Sequence, residues 1–170
     1  MNQLKEWGFS NQWWRGEKGE YWVIAQGLLS LGFILLPTHP DVGIEKLPST
    51  LQLLRWSTIF FCGVTAFLML FLGGLKLGQN LTPLPHPKPE GTLVTTGIYG
   101  LVRHPLYSGV IFAAIAYGCW QWSWVHGLGT IIFFVFFNLK ANKEENWLQA
   151  KFPTYDLYKS KVKKLIPWIY

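Results

Sequence analysis

Charged residues are scarce in this sequence. Asp, Glu, Lys and Arg make up 14% of its 170 residues, whereas a soluble chain carries about 25%. Intrinsic disorder is excluded, because a disordered chain combines low hydrophobicity with high net charge, and half of these residues are hydrophobic. A disulfide-stapled module is excluded too, since the two cysteines, Cys62 and Cys119, lie inside apolar stretches. The composition is typical of a chain that lies in a lipid bilayer.

Long apolar segments are what the sequence has instead. Residues 56–75 contain no Asp, Glu, Lys or Arg, and twenty helical residues match a hydrocarbon core of about 30 Å. Residues 21–37 form a second, shorter stretch that ends at a proline. Residues 106–139 run for thirty-four residues without a formal charge, which is too long for one span, so we expect a helical hairpin whose turn falls within residues 119–127. The sequence predicts an all-α integral membrane protein with about four transmembrane helices, of which the last two form the hairpin.

The expected organisation is a single membrane domain over residues 1–170. Four prolines within residues 83–89 predict a stiff, extended strap that spaces elements without packing into a core. The segments follow in this order: an interfacial N-terminal segment (1–18), transmembrane helices at 21–37 and 53–77, a loop (78–104), transmembrane helices at 105–121 and 124–148, the last with an extension beyond the membrane, and a basic tail (149–170).

The positive charges favour one orientation of these segments. Ten of the fifteen Lys and Arg residues fall in the N-terminal segment, the 78–104 loop and the tail, and three more, Lys76, Lys140 and Lys143, fall at helix ends on the same side. Only Lys46 and Arg55 fall on the opposite side. Cytoplasmic loops carry the excess of Lys and Arg. We therefore expect the N-terminus, the C-terminus and the 78–104 loop to be cytoplasmic. His126, in the predicted outer turn, is expected to lie at the membrane interface.

Arg103-His104-Pro105 stands at the start of the third predicted helix. Proline suits a first helical turn, and a helix N-terminus with an adjacent guanidinium and imidazole favours an anionic ligand. In the alternative interpretation, Arg103 anchors to lipid phosphate and His104 is a solvated cap.

A second polar group, Lys140, Glu144 and Glu145, lies on the predicted fourth helix. Lys140 and Glu144 are four residues apart, so they share a helix face and can pair or jointly bind a zwitterion. Taken alone, two adjacent glutamates are more often a solvated face than a site. The hairpin, however, returns this helix to the start of the third, so Arg103 and His104 become their neighbours. Such cations, carboxylates and aromatic rings suit S-adenosylmethionine among other zwitterionic ligands.

The run Arg103-His104-Pro105-Leu106-Tyr107-Ser108-Gly109, followed by Glu144-Glu145, resembles the superfamily of membrane methyltransferases that contains the isoprenylcysteine carboxyl methyltransferases and the phospholipid methyltransferases. The similarity extends from residue 93 to residue 167. It implies S-adenosylmethionine bound at the cytoplasmic face and a lipidic or isoprenoid-linked substrate. It also implies cofactor-binding residues (Tyr99, Arg103, His104, Tyr107, Gly109, Glu144 and Glu145) and catalytic residues (His104, Glu144 and Lys140).

The group that accepts the methyl, whether carboxylate, amine or thiol, stays open. Two other functions also remain open at this point. One is an NADPH-dependent membrane reductase related to sterol reductases, and the other is a non-catalytic adaptor whose basic tail binds anionic membrane lipids. No metal site is expected, because the four histidines are scattered. Nucleic acid is disfavoured, because the tail aromatics are better explained as packing residues than as a stacking platform.

The orientation can be tested with reporters at the end of the chain. A fluorescent protein that matures only in the cytoplasm, fused after Tyr170, should be bright, whereas a phosphatase that works only outside the cytoplasm should be inactive there. Moving both reporters to Lys46 should reverse the two signals. Equal signals at both positions would contradict the orientation.

Overall fold

The computed structural model describes residues 13–38 and 47–170. Most of the predicted interfacial segment, together with Lys46, lies outside these residues. Within them no β-strand occurs, and an isolated bridge joins Val102 to Lys163, so the all-α class is confirmed. The five α-helices are α1 (Glu20–Ile34), α2 (Ser49–Leu77), α3 (Pro105–Gln121), α4 (Trp124–Lys151) and α5 (Tyr155–Lys161).

Local sequence explains how α3 and α4 form a hairpin. Proline begins α3 at its first position, and Trp122 ends the helix in the left-handed conformation with φ of 49°. The hydroxyl of Ser123 accepts a hydrogen bond from the backbone N–H of His126 at 3.5 Å and caps α4. The α4 helix stops two residues before Pro153, which disfavours helical backbone at the residue before it. The hairpin predicted from the long uncharged run is therefore present.

Within the described part of the chain, two helical segments are long and apolar enough to cross a membrane, Ser49–Asn80 and Trp124–Lys151, while α1 is a shorter apolar helix. Large apolar side chains of α2 stand on the outside of the protein: Phe60, Phe61 and Phe67 are each more than 60% exposed. A continuous apolar surface of this kind is unfavourable in water and suits contact with lipid. These features indicate a membrane protein. The count of four spans and the orientation stay predictions.

The α2 and α3 helices pack closely where small residues face each other. A Cβ atom added to Gly109 would lie 2.6 Å from Leu70 Cγ and 3.2 Å from the carbonyl oxygen of Ala66. A buried cluster then joins α1, α3, α4 and the C-terminal segment, so the last residues belong to the core and are more than a tail. Its members are Phe33, Ile111, Ala114, Phe133, Phe137 and Leu165.

Arg55 has a structural task that the sequence does not reveal. Its guanidinium is buried and donates to the carbonyl oxygens of Cys119 at 2.8 Å and Trp120 at 2.6 Å. These carbonyls lie in the last turn of α3, where helix acceptors lack partners and the dipole is negative. The cation therefore compensates a helix end, which explains its presence on the side that has few positive charges.

Two expectations from the sequence are wrong. His126 is fully buried against Phe33 and Tyr117 instead of lying at an interface, because the turn is tight and places His126 inside the first turn of α4. The proline strap also packs into the protein: Leu84 and Pro85 are buried. The backbone of the strap is extended, as expected for a proline-rich segment. The proline rings and the side chain of Leu84 are nevertheless apolar, so burying them is favourable.

The close approach of α2 and α3 makes Gly109 sensitive to substitution. Gly109→Ala should lower the free energy of unfolding by about 1–3 kcal/mol, because the added methyl group must displace Leu70 and press on the backbone of α2. Thermal unfolding in detergent measures the change. Gly63→Ala is the matched control, since a Cβ there meets nothing within 4 Å, and it should be neutral or stabilising. Equal losses in the two variants would contradict this packing role.

Candidate functional site

A cavity of about 500 Å³ lies where α3 begins and the second half of α4 passes. The proline strap, α1, α2 and α5 complete its walls, so six parts of the chain meet around it. Six of the residues that the resemblance implicates line the cavity, and Gly109 and Glu145 are not among the lining residues. The six are Tyr99, Arg103, His104, Tyr107, Lys140 and Glu144.

The segment before α3 is held in place by backbone pairing with the C-terminal segment. Arg103 N–H donates to the carbonyl of Lys163 at 2.8 Å, and His104 N–H donates to the carbonyl of Lys164 at 3.1 Å. The hydroxyl of Ser108 lies 2.6 Å from the carbonyl oxygen of Leu165. The start of α3 is therefore fixed by residues about 60 positions later in the chain.

Glu145 is the centre of a buried ionic network. Its carboxylate is 1% exposed; Oε1 accepts from Arg103 Nε at 2.9 Å and Nη2 at 2.8 Å, and it lies 3.2 Å from His104 Nε2. Its other oxygen pairs with Lys159 Nζ at 3.1 Å. A buried carboxylate needs such partners to offset its desolvation.

All three guanidinium nitrogens of Arg103 have hydrogen-bond partners in or next to this network. Besides Glu145, its Nη1 donates to the carbonyl oxygens of Lys159, at 3.2 Å, and of Val162. It is therefore not a lipid anchor, and His104, which is 6% exposed, is not a solvated cap. Both side chains reach the cavity wall from the network.

Glu144 has a different environment from its neighbour, as expected for adjacent residues about 100° apart on a helix. Its side chain is 26% exposed, and Oε2 accepts a 2.5 Å hydrogen bond from the hydroxyl of Tyr107. The ring of Tyr107 stacks on His104 with 5.3 Å between centroids. Among the described residues, Oε1 of Glu144 has no hydrogen-bond partner, so this oxygen is available at the cavity.

Lys140 is buried and turns toward α1. It is 2% exposed, its Nζ donates to Gln26 Oε1 at 2.7 Å, and the ammonium lies 5.1 Å from the centre of the Tyr107 ring. Within residues 13–38 and 47–170 it forms no ion pair with Glu144, so the expected pairing is not found. The shared helix face still places both charged groups at one cavity.

Two tyrosines on the far wall are neutral hydrogen-bonding groups. Burial raises the pKa of Tyr99, and the charge of Glu144 raises it further. Burial also raises the pKa of Tyr158, although Arg103 acts in the opposite direction. The hydroxyl of Tyr158 donates to the carbonyl of Tyr99 at 2.6 Å, which ties α5 to the segment before α3.

Sequence reasoning missed three contributors to the site. Gln26 reaches the cavity from α1, Lys159 pairs with Glu145 from α5, and His86 lines the cavity from the strap. Only Gln26 had a visible signal, because a polar residue within an apolar span often has a function. Lys159 is one of several lysines in a basic segment, and nothing local distinguishes it.

The two glutamates should differ sharply in their effect on stability. Glu145→Gln leaves Arg103 and Lys159 without a counter-charge and should cost about 3–5 kcal/mol, a typical loss when one partner of a buried pair is removed. Glu144→Gln should cost less than about 1 kcal/mol, because the amide oxygen can still accept from Tyr107. Thermal unfolding of both variants in detergent provides the comparison. A similar loss in both would show that the network is not what stabilises this region.

The comparison with known proteins agrees with this geometry. The family model for phospholipid methyltransferase matches residues 56–154, which run from α2 past the end of α4 and include every cavity residue from Tyr99 to Glu144. No curated protein shows significant similarity to the chain. The match covers more than half of the chain and includes both motifs of the superfamily that also contains the isoprenylcysteine methyltransferases. The chain belongs to the phospholipid methyltransferase family and is a membrane methyltransferase.

Proposed function

We propose that the chain binds S-adenosylmethionine in this cavity and transfers its methyl group to a lipidic or isoprenoid-linked acceptor. The observation that carries the proposal is the meeting of Glu144, Lys140 and Tyr107 at one end of the cavity. Its volume of about 500 Å³ lies within the range of about 300–1,000 Å³ that is usual for sites of drug-sized ligands.

The donors and acceptors at the cavity fit the amino-acid part of this cofactor. The free Oε1 of Glu144 would accept from the α-ammonium group. Lys140 uses one donor on Gln26, and an ammonium group has three donors, so two remain for the α-carboxylate. Arg103 and Glu145 satisfy each other and would position the wall instead of holding the ligand.

The bound cofactor would supply an electrophilic methyl group on a sulfonium. The chain's own contribution is to orient the acceptor and to exclude water. The apolar lining supports this task, since Leu70, Leu106 and Val110 face the cavity from α2 and α3. The outer face of α2 is apolar and exposed, which favours an acceptor that arrives from the bilayer.

The acceptor decides whether a proton must move. A carboxylate is already ionised at neutral pH, whereas an ammonium group must first lose a proton. Glu144 Oε1 and the ring of His104 are the groups at the cavity that can take it. The description of the family favours a lipid acceptor, and carboxylate, amine and thiol acceptors all remain compatible with these groups.

The membrane arrangement completes the proposal. We place four spans in the bilayer, α1 to α4, with both termini and the cavity on the cytoplasmic side. The distribution of thirteen positive charges on that side supports it. Arg55 is the main exception to this distribution, and its charge is buried against the carbonyl groups at the end of α3.

Calorimetric titration tests the cofactor directly. The full chain in detergent should bind S-adenosylhomocysteine saturably and should not bind NADPH. Glu144→Gln should weaken this binding about tenfold or more, because a neutral amide replaces the partner of the ammonium group. Gly63→Ala, on the outer face of α2, should leave the affinity unchanged. Binding of NADPH, or no binding to a folded wild-type chain, would favour the reductase or the adaptor.

A further inference from the structure

His86 is a cavity residue that the proposed chemistry does not use. It lies in the proline strap, is half-buried and lines the cavity. Its ring packs against the ring of Trp147 of α4, with 5.2 Å between ring centroids and an angle of 62° between the ring planes. Lys151 Nζ holds the strap nearby by donating to the carbonyl oxygens of Lys88 and of Pro89, the latter at 2.9 Å. The imidazole is therefore fixed in position.

The contacts of the ring assign different roles to its two nitrogens. Nδ1 lies 3.0 Å from the carbonyl oxygen of Pro87. A carbonyl only accepts, so Nδ1 must carry the hydrogen, and Nε2 of the neutral ring is then an acceptor. Nε2 makes no hydrogen bond with any residue that the structure describes. It is the nitrogen left for a ligand.

The cavity has two chemically different ends. Glu144 and Lys140 define the charged end. Leu148 lines it one turn further along α4, about 6 Å beyond Glu144 at 1.5 Å per helical residue, and Phe152 lines it directly after the last residue of α4. With Leu84 of the strap they supply apolar lining at this end, and His86 supplies a hydrogen-bond acceptor beside it. A flat apolar ring that carries a donor on its edge fits this end.

We propose that His86 Nε2 accepts a hydrogen bond from the 6-amino group of the adenine ring and thereby selects the base of the cofactor. This inference rests on the proposed function, because it presupposes that the charged end holds the amino-acid part. An oxo group at position 6 would place an acceptor against Nε2. A site built around one hydrogen bond discriminates strongly against an analogue that cannot make it.

The experiment compares S-adenosylhomocysteine with S-inosylhomocysteine, in which the 6-amino group is replaced by oxygen. Calorimetry on the full wild-type chain in detergent should give an affinity at least about tenfold lower for the inosine analogue. His86→Ala should weaken S-adenosylhomocysteine about tenfold and leave the inosine analogue unchanged. The ratio of the two affinities should then fall toward one.

Two further variants control for folding and packing. His86→Gln offers either an oxygen or an amino group, so it should keep the affinity for S-adenosylhomocysteine and improve that for the inosine analogue. His126→Phe removes an imidazole that does not line the cavity and whose nitrogens have no hydrogen-bond partner among the residues that the structure describes. This variant should keep the wild-type ratio.

The outcomes separate the two proposals. An unchanged ratio in His86→Ala and His86→Gln, or an equal loss for both ligands, would overturn base selection by His86. A wild-type chain that binds both ligands equally would do the same while leaving the proposed cofactor intact. No binding of either ligand would overturn the proposed function together with this inference.

Discussion

The site depends on the burial of one carboxylate. Glu145 is almost inaccessible to solvent and is surrounded by Arg103, His104 and Lys159. Arg103 and His104 come from the segment before α3 and Lys159 comes from α5, so satisfying one charge fixes two parts of the chain relative to α4. Because an unpaired charge in this position would be very unfavourable, the network leaves little freedom to the cavity wall.

The network also explains how two adjacent glutamates come to have different tasks. Glu145 pairs with Arg103 and Lys159. Oε2 of Glu144 accepts a hydrogen bond from the neutral phenol of Tyr107 and lies 3.7 Å from His104 Nδ1. Lys140 is drawn away to Gln26. The cavity is therefore lined by a carboxylate and an ammonium group that form no ion pair with each other among the described residues. Of two neighbouring positions on one helix, Glu145 belongs to the buried network and Glu144 to the cavity wall.

The parts of this structure that the sequence predicts are those governed by local chemistry. Uncharged runs locate the helices, Pro105 marks the start of α3, and the spacing of Lys140 and Glu144 places both at one cavity. The parts it does not predict depend on distant partners. Gln26 and Lys140 are 114 positions apart, and no local pattern in the strap shows that Leu84 would be buried. His126 was misplaced because a turn of only two residues, Trp122 and Ser123, puts it inside a helix.

The hydrogen bond from Arg103 to the carbonyl of Val162 spans 59 positions of the chain. At about 5–20 residues per second, a ribosome needs about 3–12 s to make that interval. During this time α2 and α3 can already pair through Gly109, while the guanidinium has neither its carbonyl partners nor Lys159 beside it. The pairing of α2 and α3 can therefore precede the formation of the ionic centre. The ionic network can be complete only after Val162 has been made, and a chain interrupted before Lys159 carries Arg103 and Glu145 without these later partners.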